Sequence, residues 1–359
     1  MGVNEDYEHR PTATGGGTVN IEKVLIVGPS WVGDMVMAQS LFITLKANNP
    51  TCELHVLAPA WSIPLLERMP EIALSITNPF SHGEFNLADR IKLGHQLRSE
   101  QYDHAIVLPN SWKSALIPYF AKIPLRTGYK GECRWVILND RRHLDKQILS
   151  MTVQRFVALG LPAAAPQPPQ FEEPRLLVYK ASQEAVIQKY GLTPTNKILA
   201  LCPGAEFGPS KRWPADYFAN IAQEKIKHGW QVWLLGSNKD QESASAIDNL
   251  TNHQCRDFIG QTTLTEAIDL MSLTNTVVAN DSGLMHLAAA LGKKVVAIYG
   301  STPPDFAPPL CKTAHSVSLN LPCSPCRKRV CPLYPVGHPE HNQCLTRITP
   351  RRILELIDE

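Results

Sequence analysis

The chain has 359 residues, 44% of them hydrophobic and 19% charged, with a formal net charge of +2. That length suggests two domains with a substantial core. The near-neutral balance gives no reason to expect a nucleic-acid partner, whose footprint is a strong basic excess, and no apolar run approaches the ~18 residues needed to cross a bilayer.

Residues 1–20, MGVNEDYEHRPTATGGGTVN, carry acids early and no apolar stretch, and read as a disordered leader, not a secretory signal. Val24 to Val27 is then a short, fully apolar strand, followed by a glycine-containing loop and a helical pattern from about Gly33 to Asn48. Glu53–Ala58 and His104–Pro109 read as strands, the second preceded by a helix through Leu87 to Ser99. Short apolar strands alternating with helices indicate parallel βαβ units. Asp34 opens the first helix. A carboxylate there is stabilised by the helix dipole whatever else it does; the alternative is a general base facing a cleft. The dipole keeps it ionised but lowers its basicity, so a base here would depend on desolvation.

Between Lys122 and Lys146 lie Lys122, Arg126, Lys130, Arg134, Arg141, Arg142 and Lys146, against Glu132, Asp140 and Asp145. A charge run of this kind is a solvated face or a surface that receives a phosphorylated molecule, which Arg134, Arg141 and Arg142 would suit.

A proline-rich break spans Gly160 to Pro174, where neither a helix nor a central strand can continue. The α/β pattern then restarts: strands at Ile198, Trp230, Thr276 and Lys294, with helices between them, one closed by Gly229. Two similar α/β domains imply a cleft between them, with ligands at the carboxyl ends of the strands.

Two strand-to-helix loops of the second half stand out. PGAEFGPSKRWP (Pro203–Pro214) combines the tight turns allowed by Gly204 and Gly208 with two cations, Lys211 and Arg212, which either face solvent or meet a diphosphate. Its spacing is not that of a Walker loop. NDSGLMH (Asn280–His286) places Ser282 as an N-cap and puts Leu284, Leu287, Ala288 and Leu291 on one apolar face. Capping accounts for Ser282 alone. It does not require Asp281, Gly283 and His286, and a helix start that an outside group can approach favours an anion.

Cys323, Cys326, Cys331 and Cys344 cluster near the C-terminus, apart from five scattered cysteines. Cys323-x-x-Cys326 has metal-knuckle spacing, and the other two would complete a structural zinc site; free thiols or disulfides are the alternatives. Without an export signal, a reducing cytoplasmic setting is expected.

Taken together, GPSWVGDMVMAQSL, PGAEFGPSKRWP, NDSGLMHLAAALG and CSPCRKRVCP…C resemble the ADP-heptose:lipopolysaccharide heptosyltransferases, glycosyltransferase family 9, from about Ile21 to the C-terminus. PGAEFGPSKRWP is nearer the branch that adds the second heptose than the branch that adds the first. The resemblance implies a GT-B fold, α/β, with two Rossmann-like doubly wound domains facing a central cleft. Residues 21–180 would bind the acceptor and 181–359 the donor, with the C-terminal helix packing back on the first domain.

It further implies inverting, metal-independent transfer from ADP-heptose, with no cofactor, to the first heptose of the inner core carried on Kdo and phosphorylated lipid A. Asp34 matches the family's catalytic aspartate and Lys211 its diphosphate-contacting lysine. Asp281, Ser282, Gly283 and His286 match the donor motif D-[ST]-G-x-x-H. Asp240 corresponds to a ribose contact and Thr262 to an adenine contact. The acceptor's lipid implies work at the inner face of the inner membrane, with a peripheral contact through the basic segment. Competing readings on the same fold are a family member with another sugar or acceptor, a sugar-nucleotide 2-epimerase, and a non-catalytic nucleotide-sugar binder.

Overall fold

A computed structural model describes residues 22–80, 83–194 and 197–359; the leader expected over residues 1–20 lies outside them. The first half forms a six-stranded sheet from β1 (Lys23–Val27), β2 (Glu53–Pro59), β3 (Leu74–Asn78), β4 (His104–Val107), β5 (Leu125–Tyr129) and β6 (Asp140–Arg142), in the order 3-2-1-4-5-6. The second half builds another from β7 (Ile198–Cys202), β8 (Gln231–Leu234), β9 (Arg256–Asp257), β10 (Thr276–Asn280), β11 (Lys294–Ile298) and β12 (Ala314–Val317). Its order, 12-11-10-7-8-9, is the first order repeated and read from the other edge. Every neighbouring pair in both sheets is parallel.

This strand order reverses direction between β1 and β4, and again between β7 and β10. The loops at those points diverge and leave a crevice, which is where doubly wound sheets bind ligands. The loops in question are residues 28–31 and 109–111 in the first sheet, and 203–214 and 281–282 in the second.

Strand alternation divides the core. Val24 and Ile26 of β1 face one way, Leu25 and Val27 the other. In the second sheet, Ile198, Ala200, Val277 and Ala279 face the same cluster as Val24 and Ile26, while Leu199, Leu201 and Val278 face a separate one. One apolar cluster therefore runs through both halves. It is joined where the helix Val32–Asn48 meets the helix Gly283–Ala290. Each large aliphatic side chain buried there contributes on the order of 2 kcal/mol. A buried ion pair adds a second tie: Arg68 Nη2 reaches Asp269 Oδ2 at 2.9 Å, with both side chains almost wholly enclosed.

Gly229 closes its helix in the left-handed region at φ +77°, as expected of that residue at that place. The basic segment is not one solvated face: it contains β5 and β6. Among the described residues the C-terminal helix Pro350–Asp358 packs on the second sheet. Ile353 and Ile357 join the outer cluster of the second sheet with Phe218 and Val317, and Lys225 Nζ meets Asp358 Oδ1 at 2.5 Å. The apolar face of this short helix is satisfied by the nearest uncovered layer.

Candidate active site

The helix Val32–Asn48 carries Asp34 in its first turn, directly after the loop that leaves β1. The helix Gly283–Ala290 starts directly after β10, with Ser282 in extended backbone at its N-cap. The two N-termini meet. A Cβ on Gly33 would come within 2.5 Å of His286 Cδ2, and one on Gly283 within 2.7 Å of Val32 Cβ. Two glycines thus allow an approach that any side chain would block.

The contact buries the facing groups. His286 is 5% exposed, and burial pushes its imidazole down to about 4, so the ring is neutral. Asp34 is raised to about 6, first by burial; Lys211 pulls it down and Asp281 pushes it up. Burial is the largest of these influences and leaves the carboxyl raised.

Lys211 and Asp281 come from the two loops of the second switch point. Their Nζ and Oδ2 atoms are 2.5 Å apart, and Thr302 also donates its hydroxyl to that oxygen. Asn280 holds the loops in register: it donates from Nδ2 to Pro203 O at 2.7 Å and accepts at Oδ1 from Trp213 N at 3.0 Å. Ser282 occupies the cap position, yet its hydroxyl makes no cap bond and is buried with no hydrogen-bond partner among the described residues. A buried hydroxyl left in this state costs about 1–3 kcal/mol, which a polar ligand at the helix start would relieve.

Two cavities share this helix start. One, of about 370 Å³, is lined by Asp34, Lys211, Asp281, Ser282, Gly283 and His286, among others. The other, of about 550 Å³, is lined by Gly204, Asp240, Thr262, Ser282 and Gly283, with Trp31 bordering both. The residues singled out in separate sequence stretches therefore converge on two adjoining cavities that share Trp31, Gly33, Ser282 and Gly283. A third cavity, of about 630 Å³, lies at the first sheet's switch point, between the loops after β1 and β4.

The model of glycosyltransferase family 9 (heptosyltransferase) matches residues 90–336. The chain belongs to this family. It is 45% identical to lipopolysaccharide heptosyltransferase 2 of Salmonella typhimurium, covering 93% of this chain and 97% of that protein. It is 46% identical to lipooligosaccharide heptosyltransferase 2 of Haemophilus influenzae over 82% and 88% of the two chains. Its structure superposes on that of E. coli ADP-heptose lipopolysaccharide heptosyltransferase II with a TM-score of 0.80 at 40% identity, covering 94% and 97%. The two-sheet architecture is accordingly the GT-B type, and the chain is a glycosyltransferase.

Within this family 9 enzyme, other expectations change. Arg134 is 1% exposed; its guanidinium donates to Pro109 O, Tyr129 O and Asn110 Oδ1. It braces the loop after β4 and is not free for a ligand. Arg142 is paired with Asp140 at 2.8 Å and bonded to Leu161 O, and Arg141 is exposed on the edge strand. None of the three lines any of the three cavities just described. Their sequence signal was charge alone; carbonyls and Asp140 engage Arg134 and Arg142, while Arg141 stays exposed away from the cavities.

Of the readings open for the cysteines, the structure has the free thiols. Burial and the neighbouring Cys326, Cys323 and Cys331 push the Cys344 thiol up to about 11, so the four are near one another. All are free, and among the described residues no group of three or more His, Cys, Asp or Glu side chains is arranged to hold a metal ion. What the cysteine-rich stretch does deliver is Arg327 and Arg329, both on the wall of the Asp34 cavity. Sequence reasoning passed over these two, along with Asn280 and Thr302. Asn280 sat in plain view at the end of an apolar strand; Thr302 had no signal beyond its place just after β11.

Proposed function

We propose that this chain transfers L-glycero-D-manno-heptose from ADP-heptose to the first heptose of the lipopolysaccharide inner core, with inversion and without a metal ion. One observation carries the reading: a carboxyl raised to about 6, Asp34, shares a cavity wall with Lys211 and the Ser282 helix start. The full-length likeness to heptosyltransferases 2 supports the choice of sugar and acceptor.

In this reading the nucleoside lies along Asp240 and Thr262, and the diphosphate meets the first turn of the helix Gly283–Ala290. The unpartnered Ser282 hydroxyl and the N–H groups of that turn supply donors, and Lys211 supplies charge as the ADP departs. Asp281 and Thr302 hold the lysine in place. Asp34 takes the proton of the acceptor hydroxyl as that oxygen attacks the anomeric carbon on the face opposite the leaving ADP. With a pKa near 6, the carboxylate is mostly ionised at neutral pH and more basic than an exposed aspartate. Inversion follows from a single displacement through an oxocarbenium-like transition state.

Residues 21–180 take the role of acceptor domain and 181–359 that of donor domain. The 630 Å³ cavity suits the acceptor sugar: Phe85 and Trp112 stand on its wall with ring centroids 4.9 Å apart, beside Asn78, Asn110 and Ser111. Aromatic faces flanked by amides and hydroxyls match the apolar and polar sides of a pyranose. The lipid carrying this acceptor would bring the enzyme to the inner face of the inner membrane. No helix among the described residues is long and apolar enough to cross it.

The deciding experiment incubates the full chain with ADP-heptose and heptosyl-Kdo2-lipid A in the presence and absence of a chelator. A product heavier by one heptose, α-linked by NMR and formed equally under both conditions, is expected. No mass gain with this pair, or gain with another sugar nucleotide only, overturns the reading.

A further inference from the structure

The segment Cys326–Arg329 is clamped to the donor loops by backbone. Arg327 N donates to Ser301 O at 2.7 Å, and Ser210 N donates to Arg329 O at 3.2 Å. The Ser210 hydroxyl donates to Lys328 O, and Ser324 Oγ to Gly300 O at 2.6 Å. Gly208, at φ +151°, leaves room for this approach: a Cβ there would lie 2.7 Å from Arg329 O. The stretch is thus locked onto the residues just before Lys211 and Thr302, and its two arginines are set at fixed places on the Asp34 cavity.

Each guanidinium rests on an aromatic ring. Arg327 lies 5.5 Å from the centroid of Phe306, and Arg329 lies 5.7 Å from that of Phe207. Such stacking orients a guanidinium and leaves its N–H edge for another group. Neither arginine forms an ion pair among the described residues; of the three carboxylates on this cavity wall, Glu206 is paired with Lys239 and Asp281 with Lys211, each at 2.5 Å, and the third is Asp34. Both arginines are exposed, at the rim of the cavity.

Position selects among anions. The donor's diphosphate already has a helix start, Ser282 and Lys211. Phe306, under Arg327, belongs to a loop whose carbonyl accepts a hydrogen bond from Thr152 N of the first domain at 2.9 Å. Arg155 of that domain stacks on the same ring at 4.9 Å, but its Nε and Nη2 are bonded to Leu149 O and Ser150 O. The free cations of this rim therefore face the opening between the domains, through which an acceptor must reach Asp34.

We propose that Arg327 and Arg329 form an oxyanion clamp that binds a phosphate or carboxylate of the acceptor and positions its hydroxyl at Asp34. The proposal rests on the transferase reading above. Bidentate guanidinium contacts suit either oxyanion, and the ring beside each guanidinium orients it.

The test compares wild type, Arg327→Gln, Arg329→Gln and the double variant on three acceptors: intact heptosyl-Kdo2-lipid A, its dephosphorylated form, and a form with the Kdo carboxylates converted to methyl esters. Wild type must first transfer heptose to the intact acceptor; failure there sinks the transferase reading and not the clamp specifically. The double variant is expected to raise acceptor KM at least tenfold while donor KM stays within twofold. Removing the recognised oxyanion should cost wild type a similar factor and the double variant almost nothing, and the form showing this loss names the oxyanion. A rise in donor KM with acceptor KM unchanged would assign the arginines to the diphosphate and overturn the proposal. So would equal sensitivity of wild type and double variant to both acceptor changes. Donor affinity by calorimetry checks folding of each variant, and the single variants carry the test if the double one does not fold.

Discussion

Gly33 and His286 touch across the two domains: no Cβ fits between Gly33 and the imidazole, since one would stand 2.5 Å from Cδ2. His286 is buried and held neutral, so the ring has no solvent to retreat into. Gly33→Ala must move the ring or separate the helix starts. Transfer should fall at least tenfold in kcat, because displacements near 1 Å are costly to a reacting geometry. Donor affinity measured by calorimetry should change less than threefold, since the added methyl lies on the first domain. An unchanged kcat would mean that the helix contact is slack.

The proposed base predicts a pH profile. Asp34 must be ionised to accept a proton, so kcat should fall as pH drops through about 6. Asp34→Asn should lower transfer by at least a thousandfold and leave ADP-heptose binding within threefold. The same residue affects stability. Its folded pKa, about 6, is above its ordinary 3.8, so the neutral form is favoured by folding. The contribution is fully present below about 3.8 and is lost as pH rises through about 6. Asp34→Asn should therefore raise Tm at pH 8, by an amount on the order of 3 kcal/mol in stability, and have little effect at pH 3.8. A Tm gain equal at both pH values would contradict the buried carboxyl.

Lys211 and Asp281 act on Asp34 with opposite signs. Lys211 lowers its pKa and Asp281 raises it. Lys211→Met should move the acid limb of the kcat profile above pH 6 and weaken donor binding. Asp281→Asn should move the limb below pH 6. Limbs that shift in the same direction in both variants would show that Asp34 is not the group titrating.

Trp112 stands 39% exposed on the cavity of the first sheet's switch point. Trp112→Ala should raise acceptor KM up to about tenfold, in line with the ~0.5–1.5 kcal/mol of one aromatic contact, with donor KM unchanged. Trp112→Phe should recover most of the loss. Equal donor and acceptor effects would point to a general disturbance of the loop.

Arg134→Ala offers a contrast with the clamp arginines. It takes the guanidinium donor from Tyr129 O and Asn110 Oδ1 and leaves Pro109 O with the Ser114 hydroxyl at 3.2 Å. A loss of about 3 kcal/mol or more in urea unfolding is expected. A stable variant with weakened acceptor binding would restore Arg134 as a surface contact.

Much of this molecule is legible without coordinates. Val24–Val27, Ile198–Cys202 and Thr276–Asn280 are apolar enough to be read as interior strands, and a buried parallel strand has no other composition available to it. β3, β6 and β9 were not legible, since LSITN, DRR and RD carry too little apolar signal, and edge strands need little. Asp34, Lys211 and the NDSGLMH loop were legible because strand-to-helix junctions require few particular residues, so surplus polar groups there stand out.

Charge was the weakest guide. Arg134 and Arg327 look alike in sequence, one within a basic run and one between cysteines. Only the tertiary structure separates them, because an arginine's role depends on whether carbonyls surround its guanidinium. At Arg134 they do; at Arg327 the neighbour is an aromatic face and the rim is open. The sequence by itself determined two repeated α/β sheets and the ends of the strands at which polar residues gather, because hydrophobic period and loop chemistry are local. The tertiary structure alone decided that Asp34 and His286 share a cavity and that burial raises one pKa and lowers the other, because desolvation depends on which surfaces meet.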